Sequence, residues 1–344
     1  MTPRPSFSPR KALIKHRIRA FFDLFAVSTG LLQLHERRMR RGLTILMYHR
    51  ILPSEQCIEY PLESLVIPSD VFQKQMQWLA GHCNVMPARE AIEALATGRP
   101  FKKPLVAVTF DDGYADNFEV AAPILETQGL RGTFFITSGF VADGAPLWYD
   151  RAADAWQRMS HAARKGLARL NSMPSTDIRT WMAWLKQAAP DVRINLVEKA
   201  ESLAGGSISR GLYRPMSIKQ VTALSKRGHE IGSHTVTHPI LPQLDDALLK
   251  DELERSAQHL SEWTGTDVIG FCYPNGDLDE RVERAVLDAG YQYACAMHSG
   301  FNRRAVLTRL ARLPITMQRT VRGGCTHDAL GFRAELCRFR DWIR

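Results

Sequence analysis

Short apolar runs recur along the chain, with helical patterns between them. Seven read as strands: Leu43–Tyr48, Leu105–Phe110, Gly132–Ile136, Glu230–Ser233, Val268–Tyr273, Tyr291–Met297 and Leu310–Ile315. Each is brief and largely apolar, as parallel strands buried on both faces are. Ser69 and Asp70 are candidate caps for a helix carrying Val71, Phe72, Met76 and Leu79. Further helices are predicted over Ala88–Ala96, Asn117–Gln128, Ser217–Lys226, Asp245–Trp263 and Asp279–Ala289, each stopped by a nearby glycine. Strands alternating with helices predict a parallel sheet, and seven of them predict a closed or nearly closed α/β barrel.

One interval breaks the rhythm. From Phe140 to Pro215 there is no strand pattern, while Trp148, Trp156, Trp181 and Trp184 sit amid helical periodicity. This reads as a helical insertion on one βα loop. Loops at the carboxyl ends of barrel strands build active sites, so the insertion is expected to cover the site and help choose the substrate. The alternative is a packing lobe that touches no ligand.

The chain of 344 residues is 45% hydrophobic and 24% charged, ordinary for a globular protein. Its net charge of +9 is uneven. Residues 1–42 carry +8 and residues 319–344 carry +3, leaving about −2 for the body. The basic character therefore says little about the substrate's charge. The apolar stretch Ala20–Leu34 is too short and too polar for a membrane span, and Arg37-Arg38-Met39-Arg40-Arg41 follows where a signal peptide would have small residues. Ile14, Ile18, Phe21, Phe22 and Phe25 fall at helical spacing, with Lys15 and Arg19 off the stripe. That pattern suits a basic helix lying on an anionic membrane face, and equally a helix packing on the barrel. The segment has few aromatics beside its Arg cluster and matches no nucleic-acid-binding motif, so no nucleic-acid partner is expected. Six scattered cysteines without a C-x-x-C pair read as reduced thiols in a cytosol. The tail, Gln318–Arg344, mixes Arg with Phe332, Leu336, Phe339 and Trp342 in the manner of a short amphipathic helix. The division expected is a basic N-terminal segment (1–42), a catalytic barrel (43–316) containing the insertion (140–215), and a basic tail (317–344).

Two distant pieces carry candidate chemistry. Thr109-Phe110-Asp111-Asp112-Gly113-Tyr114 ends one strand. Gly113 permits a turn there, so that both carboxylates can reach one pocket. Adjacent carboxylates repel unless a cation lies beside them, and a divalent ion would allow one to ligate while the other acts as a base. His234-Thr235-Val236-Thr237-His238-Pro239 follows another strand. The glutamate of a zincin H-E-x-x-H is missing, and Pro239 argues against a helix, so the two imidazoles are placed on a loop.

Together the two pieces resemble the first two motifs, T-F-D-D-G and H-[ST]-x-x-H-P, of the polysaccharide deacetylase family, carbohydrate esterase family 4. The resemblance runs from about Leu43 to Ile315, apart from the insertion, and implies a distorted (β/α)7 barrel, TIM-barrel-like. It implies Asp111 as catalytic base, Asp112, His234 and His238 as ligands of a divalent metal, and the Tyr114 N–H as an oxyanion donor. Zinc suits that ligand set best, with cobalt or nickel also fitting. Phe271-Cys272-Tyr273-Pro274-Asn275-Gly276 resembles a third motif, in which many members carry an Arg that braces the base. This chain has Cys272 and Tyr273 there, which leaves Tyr273 and Asn275 as candidates for orienting Asp111 and binding substrate. Tyr48-His49-Arg50-Ile51 resembles the Y-H-x-[IV] element of a permuted subgroup that includes exopolysaccharide poly-N-acetylglucosamine deacetylases. It implies His49 as general acid, with His298 as runner-up. The activity implied is metal-dependent removal of N-acetyl groups from a glycan or glycolipid; separately, the lack of a convincing secretion signal favours the cytoplasm, with a peripheral place at the inner membrane face. The alternatives are an O-acetyl esterase and a non-catalytic carbohydrate-binding barrel.

Overall fold

A computed structural model describes residues 22–337, apart from 24, 209–210, 299, 305 and 323–325. Ile14, Ile18 and Phe21 of the N-terminal stripe, and Phe339 and Trp342 of the tail, lie outside the described residues.

Seven parallel strands form the barrel: β1 (Leu43–Tyr48), β2 (Leu105–Phe110), β3 (Thr133–Ile136), β4 (Glu230–Ser233), β5 (Gly270–Cys272), β6 (Tyr293–Cys295) and β7 (Arg312–Pro314). The spatial order is β7-β1-β2-β3-β4-β5-β6, so the last strand lies beside the first. A parallel bridge between Cys295 and Leu310 links β6 to the approach of β7 and nearly closes the ring. A two-residue strand, Asn84–Val85, also pairs with β2. All seven predicted runs correspond to barrel strands, the last three each shorter than its apolar run.

Alternation along the strands sorts side chains into two layers. Leu43, Ile45, Leu105, Ala107, Phe135, Cys272, Tyr293 and Cys295 share the inner cluster. Leu46, Val106, Val108, Phe110, Phe134, Phe271 and Tyr273 join the larger cluster beneath the surrounding helices.

Most helix boundaries follow their caps. Ser217, Asp245 and Asp279 each accept a backbone N–H at the start of their helices. Ser69 does not cap: the helix Ser69–His82 begins on it, with Pro68 before it and no side-chain cap bond. The predicted helix from Asn117 starts with a π-helical turn, Asn117–Ala121, before the α-helix Ala122–Thr127. Such turns are frequent beside functional sites.

Between β3 and β4 the chain forms helices α1 (Trp148–Arg158), α2 (His161–Leu170), α3 (Ile178–Gln187) and α4 (Pro190–Leu203). They have their own core, with Trp156 and Trp181 stacked at 4.7 Å between ring centroids. Of the N-terminal segment, Ala26, Leu32 and Met39 are buried in the main core, so the described part packs on the barrel. In the tail, helix Ala329–Leu336 buries Phe332, whose ring meets Trp78 edge-on at 6.0 Å.

The carboxyl ends of the strands are stitched together by backbone bonds. Asp111 N–H donates to Tyr48, His234 N–H to Ile136, Thr137 N–H to Asp112, and Gly139 N–H to Val236. That last contact needs glycine, because a Cβ on Gly139 would stand 2.6 Å from the Val236 carbonyl oxygen. Gly139→Ala is expected to lower stability by about 1–3 kcal/mol through forced backbone displacement, read as a lower denaturation midpoint with an unchanged slope.

Candidate active site

Five predicted site residues emerge at this stitched face. Asp111 and Asp112 follow β2, His49 follows β1, and His234 and His238 follow β4. Gly113 makes the turn with φ of 98°. Asp112, Thr235 and His238 also take left-handed backbone angles (φ of 79°, 68° and 57°), which non-glycine residues adopt only when their surroundings impose it.

The surroundings here are specific. Glu252, on the helix Asp246–Thr264, accepts the backbone N–H groups of Val236 and Thr237 at 2.7 and 2.9 Å and the Thr237 hydroxyl at 2.5 Å. Thr235 Oγ1 accepts His238 N–H at 3.0 Å, and Ser256 donates to the Thr235 carbonyl. The two-histidine loop is thus held by its own threonines and by one helix.

His234 Nδ1–H donates to the Cys272 carbonyl at 2.7 Å, which fixes its tautomer and leaves Nε2 free. His234 Nε2 lies 3.6 Å from Asp112 Oδ1, and His238 Nε2 lies 3.5 Å from the same oxygen. One donor atom from each of the three residues falls within 4.8 Å of the others. Both Asp112 oxygens are buried and neither accepts a well-formed hydrogen bond; the nearby Tyr149 hydroxyl only partly offsets their burial. Burial and the adjacent Asp111 charge push Asp112 well above the usual carboxylate range. A divalent cation between these donors would satisfy the orphaned oxygens and restore the charged form, so the residues fit a metal. A second cluster, Asp111, His234 and Cys272, fits poorly. Asp111 is already paired, and burial keeps the Cys272 thiol protonated by raising its pKa.

Asp111 is engaged on both oxygens. Arg312 Nη1 donates to Oδ1 at 2.7 Å and Nη2 to Oδ2 at 2.8 Å, with both side chains almost completely buried. The Cys272 thiol points at Oδ2 from 3.7 Å, and His49 Nε2 stands 3.9 Å away. Burial alone would raise the Asp111 carboxyl, but the Arg312 guanidinium outweighs it and holds the group well below the usual range. Burial pushes the His49 imidazole down to about 4, against the pull of Asp111.

Other predicted residues are placed as follows. The antiparallel bridge of Tyr114 with Pro215 is closed by Ala115 N–H to Arg214 and Met216 N–H to Gly113, so the Tyr114 N–H takes no part in it. The Tyr114 hydroxyl donates to Asp150 at 2.5 Å. Tyr273 is turned away: strand alternation puts it in the outer layer, and its hydroxyl donates to the Thr308 carbonyl. It does not orient Asp111. Asn275 has φ of 56° and a buried, unpartnered Nδ2. His298 is exposed, and its backbone carbonyl accepts Arg312 N–H.

Sequence reasoning missed Arg312, Glu252 and Asn117, whose Nδ2 holds the His49 carbonyl at 2.7 Å. The one available signal for Arg312 was its place as a lone charge inside the apolar run Leu310–Ile315. The insertion touches the site directly. Trp148 Nε1 donates to the His238 carbonyl, the Tyr149 ring meets the His238 ring edge-on at 5.1 Å, and Asp150 binds Tyr114.

The family model for polysaccharide deacetylase matches residues 98–189 and 198–294, more than half of the chain. The chain belongs to the polysaccharide deacetylase family. It is 34% identical over 96 residues to YxkH of Bacillus subtilis, covering 27% of this chain and 31% of that one; the chain spans about a third of the length of the curated relatives it matches. Among solved structures, Streptococcus pyogenes deacetylase PplD in complex with acetate aligns over 80% of this chain and 92% of its own, with a TM-score of 0.56 and 19% identity. IcaB from Ammonifex degensii aligns over the same shares with a TM-score of 0.53 and 19% identity. These two likenesses concern the fold.

Removing the Arg312 guanidinium would leave the Asp111 charge buried and unpaired. Arg312→Met is expected to destabilise the protein by about 3–5 kcal/mol. The double variant Asp111→Asn/Arg312→Met should recover most of that loss. Urea titrations of the three proteins check this, and a single Arg312→Met variant within about 1 kcal/mol of wild type would contradict the pairing.

Proposed function

We propose that this protein is a metal-dependent deacetylase removing N-acetyl groups from a glycan. The observation that carries the reading is the meeting of Asp111, Asp112, His234, His238 and His49 at the carboxyl end of one barrel, with Asp112 unpartnered between two imidazoles. Family membership supports the reaction class, and the acetate in the PplD structure is in keeping with it.

Asp112, His234 and His238 would hold the ion, with zinc the first choice and cobalt or nickel fitting the same donors. When bound, it supplies Lewis acidity and a water acidic enough to attack at neutral pH. Asp111, ionised at the outset and aimed by Arg312, would accept the proton of the attacking water. The Tyr114 N–H receives the oxyanion that forms at the carbonyl. The Asn275 amide is a second donor for substrate. His49 enters neutral, gains a proton by way of Asp111 at 3.9 Å, and gives it to the departing nitrogen. Acetate and an amine result.

No helix among the described residues is long and apolar enough to cross a membrane. Cys83, Cys272, Cys295 and Cys337 are buried as free thiols, in keeping with a cytoplasmic placement. Phe25, Leu31 and Leu34 are exposed beside Arg37, Arg38, Arg40 and Arg41, a combination suited to an anionic membrane surface and to a substrate presented there.

Asp111→Asn should keep its metal and lose at least about 100-fold in acetate release, as expected when a general base is removed. His234→Ala should lose bound metal, measured as ion per chain by elemental analysis; a full complement would refute its ligand role. Acetate release from N- and O-acetylated sugars compared side by side tests the bond: a preference for the ester would replace this reading with an esterase.

A further inference from the structure

The amino-terminal end of the barrel, opposite the reaction centre, carries a rim of cations. Three segments distant in the chain meet there. Backbone bonds in both directions join Leu43 and Asn302, so Arg40 and Arg41, just before β1, lie beside Arg303 and Arg304. The approach is close, since a Cβ on Gly42 would stand 2.5 Å from the Phe301 ring. Phe101 N–H donates to the Arg40 carbonyl at 2.8 Å, which brings Arg99 and Lys102 to the same rim.

All six of these side chains are exposed, and none makes an ion pair or side-chain hydrogen bond with a described residue. Elsewhere the surface behaves differently. Arg89 pairs with Glu93, Arg158 with Asp154, Lys250 with Glu254 and Arg255 with Asp251. Glu36, on the helix Leu31–Met39 that leads into the rim, is taken up by Arg333. Like charges gathered without acids repel one another, and an anionic partner would relieve that cost.

Apolar side chains share this end. Helix Leu31–Met39 exposes Leu31 and Leu34 and adds Arg37 and Arg38 to the cations. Val306 and Leu307, just past Arg304, are exposed as well. Leu307 lines an open cleft of about 640 Å³ together with Arg303 and Arg304. Arginines and large apolar residues on one face match a bilayer, whose surface is anionic and whose interior takes up apolar side chains. A nucleic acid would meet the charges and leave the leucines in water.

We propose that the amino-terminal end of the barrel docks on an anionic bilayer, with Arg303, Arg304 and Leu307 meeting the lipid alongside helix Leu31–Met39. The choice of partner rests on the membrane placement proposed above. The catalytic mouth then opens away from the membrane, because β1 runs about 20 Å from the rim towards His49. The acetylated sugar it reaches is one that stands clear of the lipid surface.

The full chain is sedimented with vesicles of phosphatidylcholine, alone or with about a third phosphatidylglycerol. Binding to the anionic vesicles only, weakened by salt, is expected. Arg303→Ser/Arg304→Ser and Leu31→Ser/Leu34→Ser, with unfolding midpoints checked, should each lower the affinity at least about tenfold. A fluorophore on Leu307→Cys should be quenched by spin-labelled lipid. One on Leu170→Cys, at the exposed end of α2 in the insertion, should not. Binding that Arg303→Ser/Arg304→Ser leaves unchanged would overturn this face and leave the membrane placement to the N-terminal segment. No binding to anionic vesicles would overturn both. Equally tight binding to duplex DNA, with vesicle binding indifferent to Leu31→Ser/Leu34→Ser, would replace the bilayer with a polyanion. Quenching at Leu170 as strong as at Leu307 would refute the orientation. Neither readout depends on acetate release, so the deacetylase reading stands or falls separately.

Discussion

A carboxylate sealed from water keeps its charge only if something else supplies what the solvent did. In this protein that is Arg312, whose two terminal nitrogens each donate to one oxygen of Asp111 inside the barrel mouth. The rest of the site depends on this pair. It sets the direction of the carboxylate, keeps it ionised at rest, and leaves one oxygen 3.9 Å from His49. It also leaves Asp112, the very next residue, with no cation of its own. Its oxygens face the two imidazoles opposite, and together the three residues make a donor set that suits a divalent ion.

The barrel makes this arrangement affordable in strain. Because β1 and β7 are neighbours, the histidine that follows the first strand and the arginine of the last converge on one carboxylate after β2. Backbone bonds across the strand ends, together with Glu252 beneath the histidine loop, hold Asp112, Thr235 and His238 at left-handed angles. The insertion then closes the face, with Trp148, Tyr149 and Asp150 set against His238 and Tyr114. Its location between β3 and β4 puts it on the catalytic side by topology alone.

Much of this was legible in the sequence, for local reasons. Apolar runs bounded by turn residues mark strands, and Asp-Asp-Gly and the paired histidines each keep their groups within a few residues, so strand number and the four metal-side candidates could be read directly. The partner of Asp111 could not, since Arg312 is 201 positions away and its direction is fixed only once β7 takes its register beside β1. Tyr273 shows the converse. It sits in the expected motif, yet strand alternation sends Cys272 inward to Asp111 and Tyr273 outward to Thr308. Ser69 looked like a cap and became the first helical residue, because the preceding Pro68 already sets the chain's entry angle.

The central claim is that Asp112, His234 and His238 enclose one ion while Asp111 stays off it, bound to Arg312. Diffraction from crystals grown with zinc, recorded on both sides of the zinc absorption edge, tests this most directly. The account predicts a single strong anomalous peak within about 2.0–2.2 Å of one Asp112 oxygen and one nitrogen of each histidine. A peak among Asp111, His234 and Cys272, or none at the strand ends, would contradict it.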